Sequence, residues 1–258
     1  MVKETVKRLA QGTALYSPLK DSYHFLFNRN HWRYRQESHR FYRQFFPKGS
    51  LVFDVGANVG LYTEMFLKLG ARVLAVEPNP QCVTRLRMIR PANRLVIEPT
   101  AVGNAVGEAT LYDCGDSRLS TLSPEWIRVA GGTQRFGQMH WRDERVVPVT
   151  TLDALIAKYG TPAYIKIDVE GFEKRVLSGL SKAPAYVSFE VNTEYIEVAI
   201  DCVSSPCFSR AATFNIIIAD APRYELKDWV TKNRMVEILS SREIKCAETN
   251  GDLFVREG

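Results

Sequence analysis

The sequence predicts an α/β fold: a mostly parallel, seven-stranded sheet with helices on both faces. Three observations carry that prediction. From Leu51 onward, short β-branched apolar runs alternate with amphipathic stretches, the pattern of strand-helix-strand units whose crossovers cover both sides of a parallel sheet. Each run ends in Gly, Pro, Asn or Asp, residues that stop a strand or begin a turn. A chain of 258 residues, 45% apolar and 24% charged, has enough apolar surface for one large core, which excludes a disordered or fibrous protein over most of its length.

Taken in order, residues 1–48 read as a basic, aromatic-rich N-terminal helical extension. They hold ten Lys or Arg against three acids, which places the net charge of +5 in this arm. Tyr23-His24-Phe25-Leu26-Phe27 and His31-Trp32-Arg33-Tyr34-Arg35 interleave rings with bases, and a helical pattern follows over 37–46. Such an arm can stack bases and neutralise phosphates, or meet anionic lipid headgroups at a membrane surface. The simpler reading is a cap whose rings pack on the sheet while Arg stems lie over them.

The domain proper is 49–258. Strands are predicted at 51–55, 73–77, 94–98, 163–168, 185–190, 213–219 and 252–256, with helices at 60–69, 80–90, 151–159, 172–180 and 193–200. Gly70 and Gly160 stop two of the helices. Residues 103–149 break the rhythm with two short strands, 103–107 and 109–113, then a long irregular stretch that reads as a lid or acceptor loop. Five cysteines (Cys82, Cys114, Cys202, Cys207, Cys246) form no C-x-x-C pair and read as reduced thiols. No run approaches the ~18 to 20 apolar residues of a membrane span and no signal peptide is visible, so the expected location is the cytoplasm.

The sharpest motif is Asp54-Val55-Gly56-Ala57-Asn58-Val59-Gly60, directly after an apolar strand and opening a helix. Glycines there let backbone approach a ligand and aim helix N–H groups at it. The spacing is G-x-x-x-G, not the dinucleotide G-x-G-x-x-G, and Asp54 would repel a pyrophosphate. An acid at that point suits a cation such as the α-amino group of S-adenosylmethionine. At the end of the second strand, Glu77 can accept both hydroxyls of an adenosine ribose.

These residues resemble the FkbM-type S-adenosylmethionine-dependent methyltransferases. The resemblance rests on Phe45-Phe46-Pro47-Lys48-Gly49, VFDVGANVGLYT (52–63), AVEPNP (75–80), TAVGNAVGEATLY (100–112), Ser120-Thr121-Leu122, Val149-Thr150-Thr151-Leu152-Asp153, IKIDVEGFE (165–173), VLSGL (176–180) and SFEVN (188–192). It covers about 45–192, leaves out the first forty residues, and matches 193–258 only in strand-helix outline. It implies a Rossmann-like class I methyltransferase fold, S-adenosyl-L-methionine as cofactor, and methylation of a hydroxyl on a sugar, glycoconjugate or natural product. Carried over residue by residue, Asp54, Gly56, Asn58, Gly60, Glu77, Pro78 and Ala101 would bind the cofactor. The acceptor does not carry over.

The chemistry is expected at the fourth main strand, where Asp168 and Glu170 stand at a carboxyl end, with Glu190 at the end of the next. Alkylating an alcohol requires the oxygen to be aligned and its proton removed. One crowded carboxylate can serve as general base, Asp168 first and Glu170 second. Alternatively Asp168 with Glu170 or Glu190 can hold Mg²⁺, the less favoured route. Lys166 is expected to offset one of these acids. The plain alternative makes Asp168 and Glu170 caps for the 172–180 helix, with Glu173 as a dipole partner. His140 is a further candidate base, and Ser120 and Thr121 can contact cofactor or acceptor. Two other functions fit less well: an RNA methyltransferase using the basic arm, against which no N-P-P-Y motif is present, and a nicotinamide-dependent oxidoreductase, against which the G-x-G-x-x-G is missing. A non-catalytic module retaining the fold is a third.

Overall fold

The glycine and proline punctuation places the elements closely. The computed structural model describes residues 29–219, 221–241 and 249–258, with side chains from residue 36. The chain divides into two compact units, residues 1–41 and 42–258. Of the first unit, the described part is helix α1 (Arg29–Tyr42), whose last residue opens the second. Tyr23–Phe27 and the side chains of His31–Arg35 lie outside the described residues.

In the second unit, β1 (Leu51–Val55), α2 (Leu61–Lys68), β2 (Arg72–Val76), α3 (Pro80–Leu86) and β3 (Leu95–Glu98) form the first half. Next come β4 (Ala101–Val102), β5 (Gly107–Asp113), α4 (Pro124–Ala130), β6 (Asp143–Thr150) and α5 (Leu152–Tyr159). The remainder is β7 (Tyr164–Ile167), α6 (Glu173–Leu177), β8 (Tyr186–Asn192), α7 (Ile196–Val203), β9 (Thr213–Ile218), β10 (Val230–Thr231), α8 (Lys232–Leu239) and β11 (Asn250–Arg256). Local chemistry sets the ends. Asn79, Ser123 and Thr151 each accept an N–H of the helix they precede, and Pro80 and Pro124 open α3 and α4. Gly70 and Gly160 follow helices with φ of +97° and +95°, as expected of C-terminal stops.

The main sheet runs β10-β9-β11-β8-β7-β1-β2-β3. Pairing is parallel from β8 through β7, β1 and β2 to β3, and β11 lies antiparallel between β8 and β9. All seven predicted strands are present, and the two-residue β10 adds an eighth at the edge. The chain winds outward from β1 to β3, then returns to place β7 on the other side of β1. That reversal opens a crevice at the carboxyl ends of β1 and β7, where ligands bind in such sheets.

Departures from the sequence reading cluster in 101–150. There β4, β6 and β5 form a separate three-stranded sheet, and α4 lies in the stretch expected to be irregular. The 103–107 strand is absent, replaced by a turn after β4. Pro148 hides β6 from propensity reasoning, since proline is rare inside sheets. It is tolerated because β4 pairs only from Val149 onward, and the Pro148 carbonyl accepts the Thr100 hydroxyl instead. Elsewhere α3 and α6 end earlier than their patterns, α7 starts three residues late behind a 3₁₀ turn over Thr193–Tyr195, and α8 lies where the sequence pattern predicts no helix.

Part of the aromatic arm belongs to the core of the second unit. Tyr42, Phe45 and Phe46 are buried, with Phe45 stacked on Tyr164 at 5.0 Å and on Phe254 at 5.2 Å. These three rings are packed inside the second unit and are not exposed to stack on bases. Cys82, Cys114, Cys202 and Cys207 are free thiols; Cys246 lies outside the described residues. Among the described residues no helix is long and apolar enough to cross a membrane.

Candidate active site

The glycine loop leaves β1 at the crevice. Gly56, Asn58 and Gly60 have φ of +80°, +48° and +93°, so the chain coils back before α2, and no side chain caps that helix. A Cβ on Gly56 would lie 1.7 Å from the Asp168 main-chain oxygen, and one on Gly60 would lie 2.2 Å from Ile89 Cδ1. Glycine is therefore demanded at Gly56 by space as well as by conformation, and at Gly60 by its φ, since the Ile89 side-chain end can move aside.

Glu77 does more than the sequence reading assigned. Its Oε2 accepts the Asn58 N–H and its Oε1 the Asn79 N–H, each at 2.8 Å, so it ties the glycine loop to the end of β2. Burial drives its pKa up to about 7, against the pull of those two N–H groups. Asp54 is also buried, and Thr63 on α2 donates to its Oδ2 at 2.6 Å. Burial raises it to about 6, offset in part by Thr63 and Lys166. It thus anchors α2 to β1 and sets negative potential beneath the loop. Pro78 is half-buried beside Glu77, while Ala101 is buried in β4 opposite Val149. The inserted segment reaches this side twice, through Ser117 Oγ donating to Asn58 Oδ1 (3.0 Å) and Asn79 Nδ2 donating to Asp113 Oδ2 (3.0 Å). A polar cavity of about 270 Å³ opens here between Asn79, Gln81, Asp113, Arg142 and Arg145.

Across the switch point, β7 pairs with β1 so that Lys166 lies opposite Asp54, and Asp168 N–H donates to Val55 O at 2.9 Å. Asp168, Glu170 and Glu190 each offer a carboxylate oxygen within 4.8 Å of the others. Burial first, then repulsion among the three, holds Glu170 and Glu190 well above the usual carboxylate range. Asn192 Nδ2 (3.1 Å) and Asn250 Nδ2 (3.4 Å) orient Glu190. The Lys166 ammonium, 1% exposed, donates to Asp168 Oδ2 at 2.9 Å, lies 3.6 Å from Asp252 and sits 4.3 Å from the Tyr62 ring centre. Burial works against its charge, yet Asp168 and Asp252 outweigh it and keep its pKa raised.

The capping alternative is not what forms. Phe172 occupies the cap position of α6 without a side-chain bond. Glu173, buried, turns back to accept the N–H groups of Val169 (3.2 Å) and Gly171 (3.3 Å), and burial raises it to about 7. It braces the turn that carries Asp168 and Glu170, a role its position after a glycine only hinted at. Over this turn the segment 119–141 packs a ring cluster: Trp126 meets Phe136 at 5.5 Å and Tyr195 at 6.0 Å, and Trp141 Nε1 donates to Leu119 O. Arg135 pairs with Glu194 at 3.1 Å. His140 is exposed and stands outside the carboxylate trio. Ser120 Oγ is buried with no hydrogen-bond partner among the described residues. Thr121, by contrast, is fully paired.

A sheet wound outward from a glycine loop, reversed at β1 and closed by an antiparallel β11, is the Rossmann-like class I methyltransferase fold. Residues 54–200 match the family described as the methyltransferase FkbM domain, and the chain belongs to that family. The 31-O-demethyl-FK506 methyltransferase FkbM of Streptomyces tacrolimicus is 30% identical over 159 residues, 52% of this chain and 61% of that protein. The chain thus spans about three fifths of the length of this curated relative. Among solved structures, the precorrin-6y C5,15-methyltransferase of Geobacter metallireducens gives a TM-score of 0.43 at 8% identity, covering 91% of each chain. The plantazolicin methyltransferase BpumL in complex with SAH gives 0.41 at 8% identity over 100% of both.

Proposed function

We propose that the chain transfers the methyl group of S-adenosylmethionine to a hydroxyl oxygen of a sugar, glycoconjugate or small natural product. The observation that carries this reading is the closeness of the two halves of the site: Gly56 of the glycine loop lies against the main chain of Asp168, first of three clustered carboxylates. The residues suit the cofactor. Gly56 lets the loop lie directly against the Asp168 main chain, and each Glu77 oxygen keeps a lone pair beyond the N–H it accepts, available to the two ribose hydroxyls. Once bound, the cofactor supplies an electrophilic methyl group on sulfur. The relative named for 31-O-demethyl-FK506 favours an oxygen acceptor.

The protein's part is to align that oxygen and take its proton. Asp168, anchored by Lys166 through one oxygen, offers the other to the acceptor hydroxyl. Burial and mutual repulsion raise the proton affinity of Glu170 and Glu190, and the ionised member of the pair accepts the proton leaving the hydroxyl. Asp168, the first candidate base from sequence, is tied to Lys166, which favours Glu170 with Glu190 for that role. A base so placed contributes about 10²–10⁴-fold. The trio also has the spacing to hold Mg²⁺. The route without metal is preferred because the Lys166 ammonium already lies 2.9 Å from Asp168.

Calorimetric titration with S-adenosylhomocysteine and, separately, NAD⁺ tests the cofactor. Methyl transfer to a panel of hydroxylated acceptors, in EDTA and in Mg²⁺, then tests the chemistry. Micromolar binding of S-adenosylhomocysteine alone and EDTA-resistant transfer are expected. Binding of NAD⁺ alone, or of neither, would overturn the reading.

A further inference from the structure

Thr121 sits on the inserted segment yet reaches the turn after β7. It is wholly buried, and its backbone N–H and C=O both pair with Tyr112, closing the loop between them. Its Oγ1 donates to the Glu170 carbonyl at 2.6 Å and accepts the Ser123 N–H at 2.9 Å. With every polar atom engaged and no exposed surface, Thr121 meets neither cofactor nor acceptor directly, which corrects the sequence expectation.

What it holds is strained. Glu170 has φ of +51°, a left-handed conformation that a residue with a Cβ adopts only when its surroundings impose it. Three contacts impose it here. Glu173 takes the N–H groups on either side, at Val169 and Gly171. Trp126 presses on Gly171, where an added Cβ would come within 2.7 Å of the Trp126 Cβ. Thr121 pins the carbonyl of Glu170 itself. Of these, only the Thr121 bond is made by a side chain from outside α6 to the strained residue. If that carbonyl were released, rotation into the ordinary β region would carry the Glu170 side chain away from its neighbours.

We propose that Thr121 is a positioning residue: its hydroxyl locks Glu170 in the left-handed conformation that gathers the Glu170 carboxylate with Asp168 and Glu190. This rests on the reading of that trio as the acceptor site. The inserted segment is thereby part of the catalytic apparatus as well as a cover, and its integrity sets whether the base is in place. The same loop carries Ser117, which bonds Asn58 in the glycine loop, so one segment braces both halves of the site.

The test uses the full chain carrying Thr121→Val, which keeps shape and removes the hydroxyl, and Thr121→Ser, which restores it. Each is crystallised with S-adenosylhomocysteine and titrated with it. The expected result is near-equal S-adenosylhomocysteine affinity in wild type and both variants. Glu170 should be left-handed in wild type and Thr121→Ser, and relaxed out of the trio in Thr121→Val. Transfer by Thr121→Val should fall on the order of 10–100-fold in kcat with KM for S-adenosylmethionine unchanged, as expected for a reacting group displaced by about an ångström, and Thr121→Ser should recover it. Glu170 unmoved in Thr121→Val would overturn the proposal. So would equal loss of S-adenosylhomocysteine binding in both variants, which marks Thr121 as a packing residue. Failure of the wild type to bind S-adenosylhomocysteine would instead sink the methyltransferase reading, while the Glu170 geometry would still report on Thr121.

Discussion

Replacing Gly56 by alanine strikes the contact on which the site depends. The added Cβ would stand 1.7 Å from the Asp168 oxygen and 2.8 Å from its carbonyl carbon. Both atoms are backbone, so no side chain can swing aside. Because Cβ contacts under 3.0 Å are essentially never seen, the glycine loop and the β7 turn must part by about 1.3 Å. Two 2.9 Å bonds hold this region, Asp168 N–H to Val55 O and Gly56 N–H to Val76 O, and both would stretch. The φ of +80° adds roughly 1–2 kcal/mol of strain for an L residue, and overpacking a further 1–3 kcal/mol, so about 2–5 kcal/mol of stability should be lost. Methyl transfer should fall by about 100-fold, because displacement of this size spoils alignment. The assay is urea denaturation with S-adenosylhomocysteine calorimetry on the same preparations. Gly107→Ala is the control: nothing lies within 4 Å of its added Cβ, and a change within about 0.5 kcal/mol is expected. A Gly56→Ala protein as stable as wild type and equally able to bind S-adenosylhomocysteine would refute the argument that this seam is closed.

Glu77→Ala should weaken S-adenosylhomocysteine binding by about 1.5–3 kcal/mol in calorimetry, the range for losing hydrogen bonds to a charged group; unchanged affinity would remove Glu77 from the cofactor site. Lys166→Met leaves Asp168 and Asp252 without their shared cation and should cost about 3–5 kcal/mol in urea denaturation, with Asp252→Asn in the same chain recovering part of it. The pH dependence has a definite sign. Asp54, Glu77 and Glu173 are raised to about 6, 7 and 7 from 3.8, 4.5 and 4.5, so the folded state binds more protons than the unfolded one between those limits. Stability without cofactor should therefore fall as pH rises from about 4 to about 7, by on the order of 1.4 kcal/mol per pKa unit and group at most. Urea midpoints across that range should slope downward, and Glu173→Gln should flatten the slope; a midpoint that rises toward neutrality would contradict the assigned burial.

Much of the main sheet was legible because it is encoded locally. Strand periodicity and the helix stops at Gly70 and Gly160 act within a few residues of themselves. The inserted sheet was harder to read. β6 contains a proline whose fitness depends on β4 stopping short of it and on Thr100 reaching its carbonyl, neither of which is a local property. Glu173 stands in the first turn of α6, as a dipole partner should, but that its carboxylate also turns back onto Val169 and Gly171 is not a local property.

The sequence by itself determined which residues open turns, which stretches form strands, and that a glycine loop, Glu77 and the Asp168-Glu170 pair stand at strand ends. Those are consequences of period, backbone freedom and charge, which each short segment carries alone. Only the tertiary structure decided which of these ends meet. The return of the chain to β7 sets Asp168 against Gly56, β8 adds Glu190 to the trio, and β11 brings Asp252 to Lys166. The base proposed here differs from the one the sequence suggests for the same reason. A carboxylate's proton affinity is set by the burial and neighbours that sheet order gives it, and no local pattern records that order.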